Sequence, residues 1–245
     1  MARTTRAIPL VSPATKANLT MLRRIASSAA LAGVCSGLLL TAIQHVEVTP
    51  LLRKAEVYED TSVALAKSAR EHLSSGPAHA AWAPTTGAER LLATAVSNTI
   101  LATGFALLLV SAISLHRKTG WRAGLIWGTA GYTVFFVAPS LGLPPELPGA
   151  QAAPLRAREL WWVVTVLFSA AGLWLLAFSK QALIRVLGLI LLASPHAIGA
   201  PQPALHGATA PIELAQDFVR ATYVANAALW LSLGGLLGYL YRPGK

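Results

Sequence analysis

Residues 182–203 read ALIRVLGLILLASPHAIGAPQP. From Ala182 to Ala193 a single charge, Arg185, interrupts an aliphatic run with no polar face, which suits hydrocarbon rather than a protein surface. Pro195, Gly199, Pro201 and Pro203 then follow in quick succession. Pro195 removes an N–H donor and frees the carbonyl of Leu191, and the glycine and later prolines stop the helix. Hydrocarbon offers nothing to replace a lost backbone bond, so such a break belongs near a membrane edge or beside a cavity. His196 rides on that break, and an ionisable side chain on unwound backbone is a candidate for holding a cation or polar substrate. The plainer alternative is a helix-ending turn in which His196 caps backbone carbonyls.

The whole chain fits that reading. Its 245 residues are 54% hydrophobic and 12% charged, with mean hydropathy +0.55, which points to a polytopic membrane protein rather than a soluble domain. The net charge of +10 comes from basic residues at the ends of apolar segments, not from a patch with interleaved aromatics, so it argues for topology and against nucleic acid. One cysteine, Cys35, excludes an internal disulfide or a paired-cysteine metal site. Phosphate-cradling, zinc-protease and nucleophile-elbow motifs are all missing, so an enzyme is not expected.

The fold expected is all-α, a membrane bundle of about six spans near residues 24–46, 90–115, 121–142, 159–179, 182–199 and 218–241, each able to cross about 30 Å of hydrocarbon. Only Ser179-Lys180-Gln181-Ala182 separates the fourth from the fifth, so five spans is the main alternative. Residues 1–22 read as a flexible cytoplasmic segment, and 23–245 as one membrane domain whose loop 47–89 lies outside. With both termini inside, 12 of the 20 basic residues collect on the cytoplasmic face. All ten carboxylates fall on the outer side, where their field would draw cations in. Gly33/Gly37, Gly120/Gly124/Gly128 and Gly234/Gly238 have the spacing that lets helix backbones approach.

Several side chains could take part in chemistry at that mouth. Thr49-Pro50 resembles an N-cap followed by a first-turn proline, which predicts a second helix from Pro50 to about Ser74 before Ser75-Gly76-Pro77. Glu56, Glu59 and Asp60 would share a face of it. His45 ends the first span, but eleven residues, about 16 Å of helix, separate it from Glu56, so the two share one ion only if the chain folds back at Thr49-Pro50. Prolines on both sides stiffen Leu143-Pro144-Pro145-Glu146-Leu147-Pro148-Gly149 and hold Glu146. Glu159 is expected to favour the start of the fourth span. His196, about 21 Å along its span, and His45, at the outer end of its own, converge with Glu146 on the outer third of the bundle. Solvated helix faces and turns account for the same acids, with Glu146 then pairing with Arg156 or Arg158.

Three blocks resemble one family, the CbtA family of predicted bacterial cobalt transporter subunits: Gln44-His45-Val46-Glu47-Val48-Thr49-Pro50-Leu51 with Ala55-Glu56-Val57-Tyr58-Glu59, then Leu143 to Gly149, then Pro195 to Pro203. Trp82-Ala83-Pro84 with Gly87-Ala88-Glu89-Arg90, and Leu125-Ile126-Trp127-Gly128, look similar too, and the likeness runs from about Met21 to Tyr241. It implies a multi-pass protein of the bacterial inner membrane, linked to cobalt supply for cobalamin synthesis, beside a small single-span histidine-bearing subunit. The family is described with about five spans and often with a histidine-rich first outer loop, where this chain has only His72 and His79. On this resemblance His45, Glu56, Glu59, Glu146 and His196 form an outward-facing acceptance site. The cargo is then a divalent cation, Co²⁺ foremost, with Ni²⁺ and Zn²⁺ suiting the same donors, and no tightly bound cofactor is expected. A homo-oligomer also fits. A non-transporting membrane scaffold is the second reading.

Overall fold

The computed structural model describes residues 13–70, 87–116, 120–204 and 207–241, and among these every regular element is helical. Helix α1 (Pro13–Ile43) passes through a π-helical segment, Gln44–Val48, straight into α2 (Thr49–Arg70). The expected second helix is therefore present, but it has no separate beginning. Thr49 is helical (φ −59°, ψ −38°), its N–H reaches Gln44 O, and its hydroxyl donates to that same carbonyl at 3.0 Å. Pro50 explains the widening: it has no N–H, and its ring would strike the carbonyl of Val46 in a regular α-helix. One wider turn relieves the clash without breaking the rod. The same device recurs where α4 (Trp121–Tyr132) runs through a π segment, Thr133–Val137, into α5 (Ala138–Gly142), with Ala138 N–H bonded to Thr133 O just before Pro139.

The remaining helices are α3 (Gly87–His116), α6 (Leu155–Phe178), α7 (Ala182–Ile198) and α8 (Ile212–Leu240). Five stretches are long and apolar enough to cross a membrane: Asn18–Leu65, Gly87–His116, Trp121–Gly142, Leu155–Phe178 and Ile212–Leu240. At 17 residues, α7 is the short sixth, about 25 Å of helix. It nevertheless runs the length of α6 in the opposite direction. A Cβ on Gly172 would lie 2.7 Å from Gly188 O, Trp161 faces His196 with ring centres 6.0 Å apart, and Ala200 returns beside Gly142. α1 begins at Pro13, ahead of the expected span. Residues 1–12, His72, His79, His206, Trp82-Ala83-Pro84 and the expected helix end near Ser74 lie outside the described residues.

The glycine spacings pack backbones together. A Cβ on Gly37 would sit 2.6 Å from Thr99 Cα, and one on Gly124 would sit 2.1 Å from Gly234 O. These contacts tie α1 to α3 and α4 to α8. The core lies between α1, α3 and α8, with Ala29, Ala32, Ala102, Ala106, Leu229 and Leu233 buried. Alanines are interleaved with its larger aliphatic residues, because close backbones, not a hydrophobic driving force, hold helices together in lipid. The α6–α7 hairpin hangs at one side, its α6 touching the α4–α5 rod through Trp161 against Gly142 and Trp162 beside Phe135.

Pro195 does not unwind its helix. It is fully buried inside α7, which continues to Ile198 and stops at Gly199, whose φ of +89° only glycine adopts without strain. The carbonyl of Leu191, freed by Pro195, accepts a hydrogen bond from Ser194 Oγ at 3.0 Å. His196 is thus on intact helix, which corrects the expectation of unwound backbone.

Candidate functional site

All nine described carboxylates belong to the first π segment, α2, the first six residues of α3, α6 and α8, or the segment 143–154. These elements meet at one end of the bundle: Arg90 of α3 pairs with Glu56 of α2, and Gly149 lies against both Thr209 and Glu59. Each expected mouth residue can be placed there individually.

His45 is exposed on the first π segment and lines a cavity of about 250 Å³ between α1, α3 and α8, shared with Thr41, Gln44, Arg53, Arg90 and Thr222. Glu56 is half-buried and held by both guanidinium nitrogens of Arg90, Nη1 to Oε2 at 3.2 Å and Nη2 to Oε1. Glu59 is half-buried beside Gly149. Glu146 is exposed, pairs with Arg158 at 3.3 Å, and lines a cavity of about 320 Å³ together with Gln151, Pro201, Gln202 and Pro203. His196 is half-buried, its ring edge-on to Trp161. Glu146 and the turn after His196 thus share a cavity, whereas the cavity that His45 lines includes neither Glu146 nor His196.

The continuous rod is the reason. It keeps His45 about 16 Å of helix from Glu56, and α7 presents His196 to α6 rather than to α1. Among the described residues, no group of three or more His, Cys, Asp or Glu side chains stands close enough to hold one metal ion. Four described carboxylates have arginine partners: Glu56 with Arg90, Glu146 with Arg158 at 3.3 Å, Glu159 with Arg156 at 3.7 Å and Asp217 with Arg220 at 3.5 Å. Glu159 is the fifth residue of α6, past its first turn, so the expected role at the helix start does not hold. No hydrogen bond from His196 to a backbone carbonyl occurs among the described residues, so it does not act as a cap.

A comparison with known families fixes the identity at the coarse level. The model of the family described as "Probable cobalt transporter subunit (CbtA)" matches residues 22–242. The chain belongs to the CbtA family. No curated protein and no solved structure matches it. Membership, with the five apolar spans, makes it a multi-pass membrane subunit of a transporter, with lipid around it, a further subunit implied, and a transported cation consistent with the cobalt of the family description.

For a CbtA chain, the polar group that sequence reasoning passed over is Asn98. It is buried in the middle of α3 and donates both amide hydrogens, to Thr41 Oγ1 at 3.0 Å and to Gln44 Oε1 at 2.7 Å. Thr41 in turn donates to Gly37 O at 2.8 Å. This chain of bonds joins α3 to α1 at the floor of the His45 cavity. The signal was available: a lone amide in a 30-residue apolar helix needs a partner on another helix.

Proposed function

We propose that this chain is the membrane-spanning part of a bacterial inner-membrane uptake system for divalent cobalt, serving cobalamin synthesis beside a small single-span histidine-bearing subunit. Its outward mouth accepts the ion through His45, Glu56, Glu59, Glu146 and His196. The observation that carries the cobalt reading is the family match over residues 22–242. Support for the mouth is the gathering of every described carboxylate at one end of the bundle, next to two cavities. In this proposal the five residues act in two groups, one at the cavity beside His45 and one around Glu146 and His196. Cation arrival at Glu56 or Glu146 then displaces an arginine. Neutral imidazole and carboxylate oxygen suit Co²⁺, and the same donors take Ni²⁺ and Zn²⁺.

The test is uptake of labelled Co²⁺ into cells carrying the complete system, comparing the unsubstituted chain with His45→Ala and His196→Ala. Loss of uptake is expected for both, and uptake equal to the unsubstituted chain removes that histidine from the route. The second reading, a non-transporting scaffold, is favoured by one specific observation: Glu56 and Glu146 already have arginine partners, as structural acids would. Anomalous scattering from a Co²⁺-soaked crystal separates the two readings, since a scaffold gives no cobalt peak at the acidic end.

A further inference from the structure

One groove at the acidic end contains none of the five proposed ion ligands. It has a volume of about 850 Å³ and runs between α8 and the end of α1 where that helix passes into α2. Its apolar wall includes Ile43, Val46 and Val224, and its charged side chains are Glu47, Asp217 and Arg220. Val46 is 67% exposed and Val224 62% exposed. The groove is therefore open on its apolar side, where a lipid chain can lie.

The packing of the two helices fixes the level of the charges. Ser232 Oγ of α8 donates to Ser36 Oγ of α1 at 3.0 Å, so these two residues share one depth. Toward the acidic end, Glu47 lies eleven residues beyond Ser36, about 16 Å, and Arg220 twelve residues beyond Ser232, about 18 Å. Glu47 and Arg220 thus stand at one level. Twenty residues, about 30 Å, separate Arg220 from Leu240 at the far end of α8, which matches the thickness of the hydrocarbon layer. The two charges accordingly mark the hydrocarbon edge, where lipid headgroups begin. Ile43 and Val224 each lie four residues, about 6 Å, deeper.

At that level the groove presents both signs of charge with bonding capacity to spare. Among the described residues Glu47 makes no hydrogen bond or ion pair, and Arg220 pairs with Asp217 alone, at 3.5 Å with both side chains more than half exposed. A simple cation would meet Arg220, and a simple anion would meet the two carboxylates. A zwitterion with an apolar tail suits every wall.

We propose that this groove holds phosphatidylethanolamine from the leaflet at the acidic end, its phosphate on Arg220, its ammonium on Glu47 and Asp217, and an acyl chain along Ile43 and Val224. The guanidinium fork matches a phosphate, and a primary ammonium has three N–H donors for carboxylate oxygens. Phosphatidylcholine carries the same charges but no ammonium N–H, and phosphatidylglycerol carries no ammonium. The lipid brings both charges in one headgroup at the depth where the groove has their partners. The site goes beyond the uptake reading and stands whether or not the mouth residues bind cobalt.

Competition among lipids tests it. The full chain, stripped of lipid by detergent exchange, is titrated with phosphatidylethanolamine, phosphatidylcholine and phosphatidylglycerol of identical acyl chains, and bound lipid is counted by native mass spectrometry. On the unsubstituted chain, phosphatidylethanolamine is expected to bind about ten-fold tighter than either competitor, as two charge-assisted contacts imply. The double variant Glu47→Gln/Asp217→Asn should lose that preference, and Arg220→Gln should weaken all three lipids. Equal affinity for the three on the unsubstituted chain overturns the proposal whether or not the variants fold, and leaves the groove to a helix of a second copy or of another subunit. A preference for phosphatidylethanolamine that survives in the double variant overturns it as well.

Discussion

His45 and His196 carry a similar signal in sequence, a histidine within five residues of a proline at the end of an apolar run, yet they occupy different environments. Near His45 the chain accommodates Pro50 by widening one turn, and the adjoining core satisfies its polar atoms: Asn98, Gln44, Thr41 and Gly37 form a continuous chain of bonds. At His196 the helix keeps its regular pitch and Ser194 covers the carbonyl freed by Pro195. The neighbouring α6 holds the three buried side-chain polar atoms that lack a hydrogen-bond partner among the described residues, Arg158 Nε, Trp161 Nε1 and Ser169 Oγ. The first region is a packed core with a cavity at its edge. The second is a side hairpin with unspent polar capacity. A proline in a membrane helix thus fixes where backbone bonding must be repaired, but the neighbouring helices decide how.

The contrast in packing gives the largest expected effect. A Cβ on Gly124 would stand 2.1 Å from Gly234 O and 2.9 Å from Gly238 Cα, both backbone atoms that cannot turn aside. Gly124→Ala should therefore push α4 from α8 and cost about 3 kcal/mol, the upper end of overpacking penalties. In the hairpin, Gly172→Ala meets Gly188 O at 2.7 Å, but also the flexible Leu192 side chain, and about 1–2 kcal/mol is expected. Thermal unfolding in detergent compares them, and equal shifts would erase the distinction between core and hairpin.

Polar truncation should separate the two regions next. Asn98→Ala leaves Gln44 Oε1 and Thr41 Oγ1 without their donor, at a cost of about 1–3 kcal/mol. Ser169→Ala removes a hydroxyl that has no protein partner, so a change within about 0.5 kcal/mol is expected. If Ser169→Ala destabilised as much as Asn98→Ala, its hydroxyl would have a protein partner in solution.

These outcomes bear on what could be read without a structure. The spans were legible because long apolar runs ending in charge have few alternatives, and 121–142 falls on the helix rod Trp121–Gly142. The glycine contacts were legible because only close backbones use that spacing. What was hidden is the repair of each proline. Thr49-Pro50 satisfies every local rule for a helix start, yet α1 and α2 are one rod, because a π turn removes the clash at the expense of a single extra residue. The site was hidden for the same reason. Once the rod does not fold back, residue type still marks His45 and Glu56 as donors, but their separation is fixed by a backbone detail that composition does not reveal. Arg90 was harder still, since its partner lies on another helix, whereas Arg158 was one of two partners expected for Glu146 from their closeness in sequence.

The proline repair at α7 is itself open to a rescue experiment of smaller size. Ser194→Ala strips Leu191 O of its donor and should cost about 1 kcal/mol. Adding Pro195→Ala supplies a backbone N–H to the same carbonyl and should recover that loss. The pair of measurements sharpens the comparison with Pro50, where the wider turn rather than one side chain makes the repair. A Ser194→Ala penalty that persists in the double variant would assign the serine another role.

The smallest effect concerns the arginine at the His45 cavity. The Glu56–Arg90 pair is about 35–40% exposed, and exposed pairs contribute about 0.2–1 kcal/mol. A double-mutant cycle on Glu56→Gln and Arg90→Gln should return a coupling in that range. Its value is functional: if a cation must displace Arg90 from Glu56, that coupling opposes binding. Arg90→Gln should then improve half-saturation for Co²⁺ uptake by up to about five-fold, the equivalent of about 1 kcal/mol, whereas Glu56→Gln should weaken it. An Arg90→Gln chain that takes up Co²⁺ with unchanged concentration dependence would mean that the guanidinium braces α2 against α3 and does not stand in for the ion.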